Sequence, residues 1–153
     1  MAADDRATSG GQTFSTTRRV EFRDTDAAGI AHFSTYFAWM EQAEHELLRH
    51  LGLSVFDPQS SGTVTWPRVS AQADFLSAVR FEDVVDIAVR VVRLGEKSAT
   101  FGFEFSLAGR PVARGTITTV CCRFTPHGAT QSLPIPAEIR RKLAEYAGRD
   151  AGA

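Results

Sequence analysis

The chain has 153 residues, enough for one domain with a core of its own, and a formal net charge of −1. That near balance gives no global pull toward nucleic acid or an anionic membrane, and no apolar run approaches the roughly 20 residues that a membrane-spanning helix needs. Its two cysteines, Cys121 and Cys122, are neighbours that a strand would point to opposite faces, so the chain reads as a reduced, cytoplasmic protein without a disulfide framework.

Residues 1–16 are small and polar, with no apolar stretch of signal-peptide type, and read as a disordered leader. The folded domain is expected over residues 17–147, with a flexible tail over 148–153. Arg18 to Arg23 alternates, with Val20 and Phe22 on one face, and predicts a first strand. A turn with two acids and a glycine follows. Phe33, Tyr36, Phe37, Met40, Ala43, Leu47, Leu48 and Leu51 then recur at helical spacing, which predicts an amphipathic helix of about five turns. Gly52 is placed to end it, and Arg49 and His50 sit in its last turn, where cations are favoured.

Pro58, a serine pair and Gly62 mark residues 53–63 as a loop. Strand patterns follow over Trp66–Phe75, Val84–Leu94, Ser98–Leu107 and Val112–Phe124. They are separated by turn signals at Phe81-Glu-Asp, Gly95-Glu-Lys and Gly109-Arg-Pro. Residues 126–135 form another loop, and Pro136 opens a short helix running to about Tyr146. One strand, one long helix and four antiparallel strands give an α+β domain, the sheet wrapping the apolar side of the helix.

The turn from Asp24 to Phe33, Asp-Thr-Asp-Ala-Ala-Gly-Ile-Ala-His-Phe, holds the chemistry. A carboxylate beside the first free N–H groups of a buried helix can attack a carbonyl or activate water, and the helix end can hold the oxyanion that forms. The plainer alternative is a solvated turn whose acids cap the helix. Asp24 fits that structural role, because acids on turns bond nearby backbone N–H groups. His45 and His50 lie five residues apart, about 140° around a helix, which does not suit a shared metal ion.

Asp24-Thr-Asp-Ala-Ala-Gly29, followed by an aromatic and by Tyr36-Phe37-Ala-Trp39-Met40-Glu41, resembles the hot-dog-fold thioesterases of the 4-hydroxybenzoyl-CoA thioesterase type. The resemblance runs from about Arg18 to about Phe124 and includes Thr65-Trp-Pro-Arg-Val-Ser70, Asp74-Phe75, Phe81-Glu-Asp83 and Lys97-Ser98. It implies an acyl-CoA thioesterase in which Asp26 is the catalytic carboxylate, as nucleophile or general base. The Phe33 N–H would polarise the thioester carbonyl, and Gly29 would shape the loop and lend its N–H. His32 stands where many relatives have an aromatic residue, and is either a further catalytic candidate or a packing residue at the helix entry. Trp66, Phe33, Tyr36 and Phe37 would line the acyl pocket, and Thr65 is a further substrate-binding candidate. Lys97 and Ser98 would meet the CoA phosphates. The arginines that precede this Lys in the aromatic-acyl enzymes are replaced by Gly95-Glu96, so Arg68, Arg93 or Arg123 would assist.

The same resemblance implies hydrolysis of a small aromatic or short- to medium-chain acyl-CoA to the free acid and CoA, an acyl carrier protein being another possible donor. No cofactor and no metal are called for. The turn also resembles that of naphthoyl-CoA hydrolases, which makes an aromatic acyl group a live option. Members of the family form dimers whose sheets join edge to edge, often pairing into tetramers, with active sites at the dimer interface. Phe101, Phe103 and Phe105 are expected to bury an outer surface of that kind. Three alternatives remain: Glu41 or Glu44 as the carboxylate, as in a second class of hot-dog thioesterase; a hot-dog hydratase or dehydratase using Asp26 and His32; or a non-catalytic acyl-CoA-binding protein.

Overall fold

The strand patterns, the helical stripe and the turn signals all become elements in a computed structural model, which describes residues 10–56, 64–125 and 131–152. In chain order these are β1 (Phe14–Arg19), α1 (Phe33–His50), β2 (Val64–Thr65), β3 (Arg68–Phe75), β4 (Val84–Leu94), β5 (Ser98–Leu107), β6 (Arg110–Val120), β7 (Cys122–Arg123), β8 (Gln131–Ser132) and α2 (Ala137–Ala144). The expected leader over 1–9 and loop segments over 57–63 and 126–130 lie outside the described residues. Among those described, no helix is long and apolar enough to cross a membrane.

Five strands form one antiparallel sheet in the order β1-β4-β5-β6-β3, and β2, β7 and β8 form a small second sheet. Alternation sets the inner face. Val85, Ile87, Val89 and Val91 of β4 and Phe101, Phe103 and Phe105 of β5 are buried against Tyr36, Trp39, Met40, Ala43, Leu47 and Leu48 of α1. This is the sheet-wrapped helix that the sequence predicts. The three phenylalanines therefore belong to the protomer's own core, not to an outer surface awaiting a partner. Their strand is central, and its inner face already has a helix on it.

The end of α1 follows the glycine signal. Gly52 has φ +70°, its N–H reaches Arg49 O (3.0 Å), and the Leu53 N–H reaches Leu48 O (2.7 Å). These are the two bonds of a Schellman ending. Pro111 follows a hairpin turn in which Ala108 (φ +48°) and Gly109 (φ +79°) are both left-handed.

Several boundaries differ from the pattern. The first strand starts at Phe14, inside the expected leader, and stops at Arg19. Pairing of Phe14–Arg19 with Val89–Val84 supplies order that the polar sequence does not advertise. Val20 is buried, but Phe22 is 79% exposed, because the chain leaves the ladder for a 3-10 turn over Phe22–Asp24. Pro67 has no N–H to give a ladder, so the strand expected from Trp66 begins at Arg68. The last long strand ends at Val120, and β7 joins the second sheet. The segment after α2, running into the expected tail, is packed: Tyr146 O and Ala151 O accept the N–H groups of Val91 and Leu94 (2.9 and 2.8 Å), on the edge of β4 beyond Val89, where pairing with β1 ends.

Candidate active site

The loop between β1 and α1 is fixed by its own backbone. Thr25 bridges Ala31, the Asp26 N–H reaches Ile30 O (3.0 Å), and the Ala31 N–H reaches Val79 O (2.9 Å). Asp24 acts structurally, as its turn position predicts. Its carboxylate accepts from the Glu21 N–H (2.9 Å), and its carbonyl accepts from the His32 N–H (2.7 Å) and Thr35 Oγ1 (3.1 Å).

Asp26 is half-buried in this loop. Its Oδ1 accepts from the Ala28 N–H (2.8 Å), while Oδ2 has no partner among the described residues. One oxygen is thus anchored and the other carries no such bond. The Phe33 N–H, at the first position of α1, is also without a partner among the described residues, as the geometry of a helix start requires. The Phe33 ring is 59% exposed. Asp26 and Phe33 therefore bring a free carboxylate oxygen and a free helix-start donor to the same loop.

Gly29 and His32 both find partners within the loop and the helix start. Gly29 has φ +76° and closes the tight turn, but its N–H is donated to Asp26 O (2.9 Å) and is not available to an oxyanion. His32 caps α1. Its Nδ1 lies 2.6 Å from Ser34 Oγ and accepts from the Ser34 N–H (3.3 Å), and its ring lies 4.6 Å from that of Phe33. No hydrogen bond joins His32 to Asp26 among the described residues.

Tyr36 is a core residue, with its ring 5.2–5.4 Å from those of Trp39, Phe75 and Phe105. Burial raises its pKa and keeps the hydroxyl neutral.

The other candidates sit elsewhere. Thr65 lies in β2, Trp66 is buried with Cys121 and Ile135 in a small satellite core, and Lys97 and Ser98 lie at the β4–β5 turn. The 11 residues of β4 separate this end of the sheet from the Asp26 end, about 33 Å at the usual strand rise. A single chain therefore splits the candidates into two groups, one at each end.

Arg68, at the start of β3, reaches Glu44 Oε2 (3.2 Å), His45 Nε2 (2.9 Å) and Trp66 O (3.3 Å), with Glu41 3.9 Å away. Glu44 is 1% exposed, and burial pushes its pKa up to about 7 against the opposing pull of Arg68. The His45 pKa is lowered by burial and then by Arg68, which favours the neutral ring that Nε2 needs in order to accept. The sequence signal for Glu44 was present: it lies four residues after Met40 and four before Leu48, inside the apolar stripe. Its partner Arg68, 24 residues away, was not readable from that stripe.

With this geometry in view, a family model described as the thioesterase-like superfamily matches residues 20–143. A 1,4-dihydroxy-2-naphthoyl-CoA hydrolase from Synechococcus sp. (strain RCC307) is 31% identical over 128 residues, spanning 81% of this chain and 95% of that protein. Among solved structures, a 1,4-dihydroxy-2-naphthoyl-CoA thioesterase from Synechocystis superposes with TM-score 0.77 at 24% identity, covering 88% of this chain and 97% of the other. A gentisyl-coenzyme A thioesterase does so with TM-score 0.73 at 31% identity, covering 83% and 99%. The chain belongs to the thioesterase-like superfamily, in its hot-dog fold, and is a thioester hydrolase.

Proposed function

We propose that the protein hydrolyses the CoA thioester of a small hydroxylated aromatic acid, with Asp26 as its carboxylate and the Phe33 N–H as oxyanion donor. The observation that carries this reading is the free Oδ2 of Asp26 on the same loop as the unpartnered Phe33 N–H. The acyl class is drawn from relatives that act on 1,4-dihydroxy-2-naphthoyl-CoA and gentisyl-CoA.

In the nucleophilic route, Asp26 Oδ2 adds to the thioester carbon and the carbonyl oxygen becomes an oxyanion held by the Phe33 N–H. The C–S bond then breaks, and the CoA thiolate leaves and takes a proton from water. A second water cleaves the anhydride and restores Asp26. In the general-base route, Asp26 takes a proton from the attacking water and no anhydride forms. Both routes use the same two protein groups. Glu44 is poorly placed for either, because its carboxylate is buried against Arg68.

The working unit in this reading is at least a dimer. β3 is an edge strand, with Val69 and Phe75 exposed along it and Leu76 just beyond. Antiparallel pairing of β3 with a second copy about a two-fold axis reverses the partner's sheet. That brings its Arg68 and Lys97 end toward Asp26.

The test is thiol release from a panel of aromatic and aliphatic acyl-CoAs by wild type and Asp26→Asn. The variant is expected to lose roughly 10²–10⁴-fold in turnover while remaining folded. Equal turnover in both proteins would remove Asp26 as the catalyst. No turnover by wild type on any substrate would favour the hydratase or acyl-binding alternatives.

A further inference from the structure

Phe33, Phe37, Glu41 and His45 of α1 stand four apart in the chain. Successive members of such a row turn by about 40°, so the four form one ridge along the helix. The ridge starts at the residue whose N–H the proposed chemistry uses. Phe33 and Glu41 are exposed, and Phe37 and His45 are half-buried. Two aromatic rings are therefore followed by a carboxylate and an imidazole along one accessible flank.

The polar end of the ridge is fixed from β3. Arg68 Nη2 lies 2.9 Å from His45 Nε2, 3.2 Å from Glu44 Oε2 and 3.9 Å from Glu41 Oε2. Glu44 is buried under the guanidinium and holds it on the helix, while Glu41 makes the long, outer contact. Neither oxygen of Glu41 has a hydrogen-bond partner among the described residues. Glu41 follows Phe33 by eight residues, about 12 Å along the axis, and helical side chains lean back toward the N-terminus. A carbonyl on the Phe33 N–H is thus on the order of 10 Å from the Glu41 carboxylate, with Phe37 between the two.

We infer that this ridge is the track for the acyl group, and that Glu41 is a specificity-determining residue that accepts the hydroxyl at the far edge of the aromatic ring. The inference rests on the proposed thioesterase reading, because the Phe33 N–H sets where the carbonyl sits. A hydroxylated acyl group of one or two fused rings, with a hydrogen bond at its far edge, fills a gap of that order. The rings of Phe33 and Phe37 flank it, and the phenol O–H donates to the carboxylate in a charge-assisted bond. Arg68 keeps the acceptor in place. An acyl group without the hydroxyl strips water from Glu41 and returns no bond, which disfavours it. Glu41 is out of reach of the carbon that the Phe33 N–H of its own chain polarises, so its role is recognition and not attack.

The experiment compares 4-hydroxybenzoyl-CoA with benzoyl-CoA. It reads kcat/KM for wild type and Glu41→Leu, and Kd with and without Glu41→Leu in an Asp26→Asn background. Leucine keeps a good helix former without the acceptor. With Glu41 present, both readouts are expected to favour the hydroxylated ligand by about tenfold to a hundredfold, and Glu41→Leu is expected to bring the ratio to about one. A ratio near one with Glu41 in place, a preference that survives Glu41→Leu, or a loss of the same factor on both ligands would overturn the assignment. If wild type hydrolyses neither thioester while the Kd ratio behaves as expected, the recognition role stands and the thioesterase reading falls.

Discussion

A carboxylate between Met40 and Leu48 is carried into the core by the apolar stripe of α1. Glu44 is the result, with a pKa of about 7 against an ordinary 4.5. Between those values the native state keeps a proton that the unfolded chain has released. Stability is therefore expected to fall as pH rises from about 4.5 through 7, by on the order of 3 kcal/mol, and to level off above. Urea unfolding of wild type and Glu44→Gln at pH 5, 6, 7 and 8 checks this. The glutamine variant, which keeps an acceptor for Arg68, is expected to lose that slope; parallel curves would mean that Glu44 is ionised throughout. His32 is tested at the same scale. As the cap of α1 it is expected to be replaceable by asparagine, a strong cap residue, whereas His32→Ala loses about 1 kcal/mol of stability. If thiol release falls equally in both variants, the ring carries a proton and the cap role is insufficient.

Among the elements, the contact of α1 with the sheet depends on Gly115 of β6. A Cβ there would stand 2.5 Å from Met40 Sδ and 2.7 Å from Gln72 O. Met40 can shift, but the Gln72 carbonyl is backbone of the paired strand β3. Gly115→Ala is expected to destabilise the protein by about 2 kcal/mol, read as a lower denaturation midpoint. Truncating Met40 in the same chain should not restore the loss, since the backbone contact remains. The same elements show what a sequence can disclose. The alternation of Val85 to Val91 and of Phe101 to Phe105, the stripe of α1 and the Gly52 ending are local signals, and they mark the layers and the helix with its end. The β1 boundary and the packed tail depend on groups far away in the chain. At the site, the Asp24–Gly29 turn and the helix start at Phe33 were legible as residue types at a fixed spacing. The internal use of the Gly29 N–H and the Glu44–Arg68 pair appear only when backbone directions and tertiary neighbours are known.

At the scale of the whole molecule, the separation of Asp26 from Lys97 becomes a question about copies. The two stand at opposite ends of β4, roughly 33 Å of strand apart, so in the proposed reading a CoA thioester whose phosphates lie at Lys97 reacts at a carboxylate at the far end of the sheet. If β3 pairs with its copy about a two-fold axis, each site takes Asp26 from one chain and the Lys97 turn from the other. Chains carrying Asp26→Asn and chains carrying Lys97→Glu should each be poorly active alone at subsaturating acyl-CoA. Refolded together in equal amounts, half of the dimers are mixed, and each mixed dimer has one site with both defects and one with neither. The mixture is then expected to recover about a quarter of wild-type activity. If each chain instead used its own Lys97, every site would keep one defect, and the mixture would stay at the mean of its parents. Recovery is therefore a direct reading of which chain supplies which end of the site.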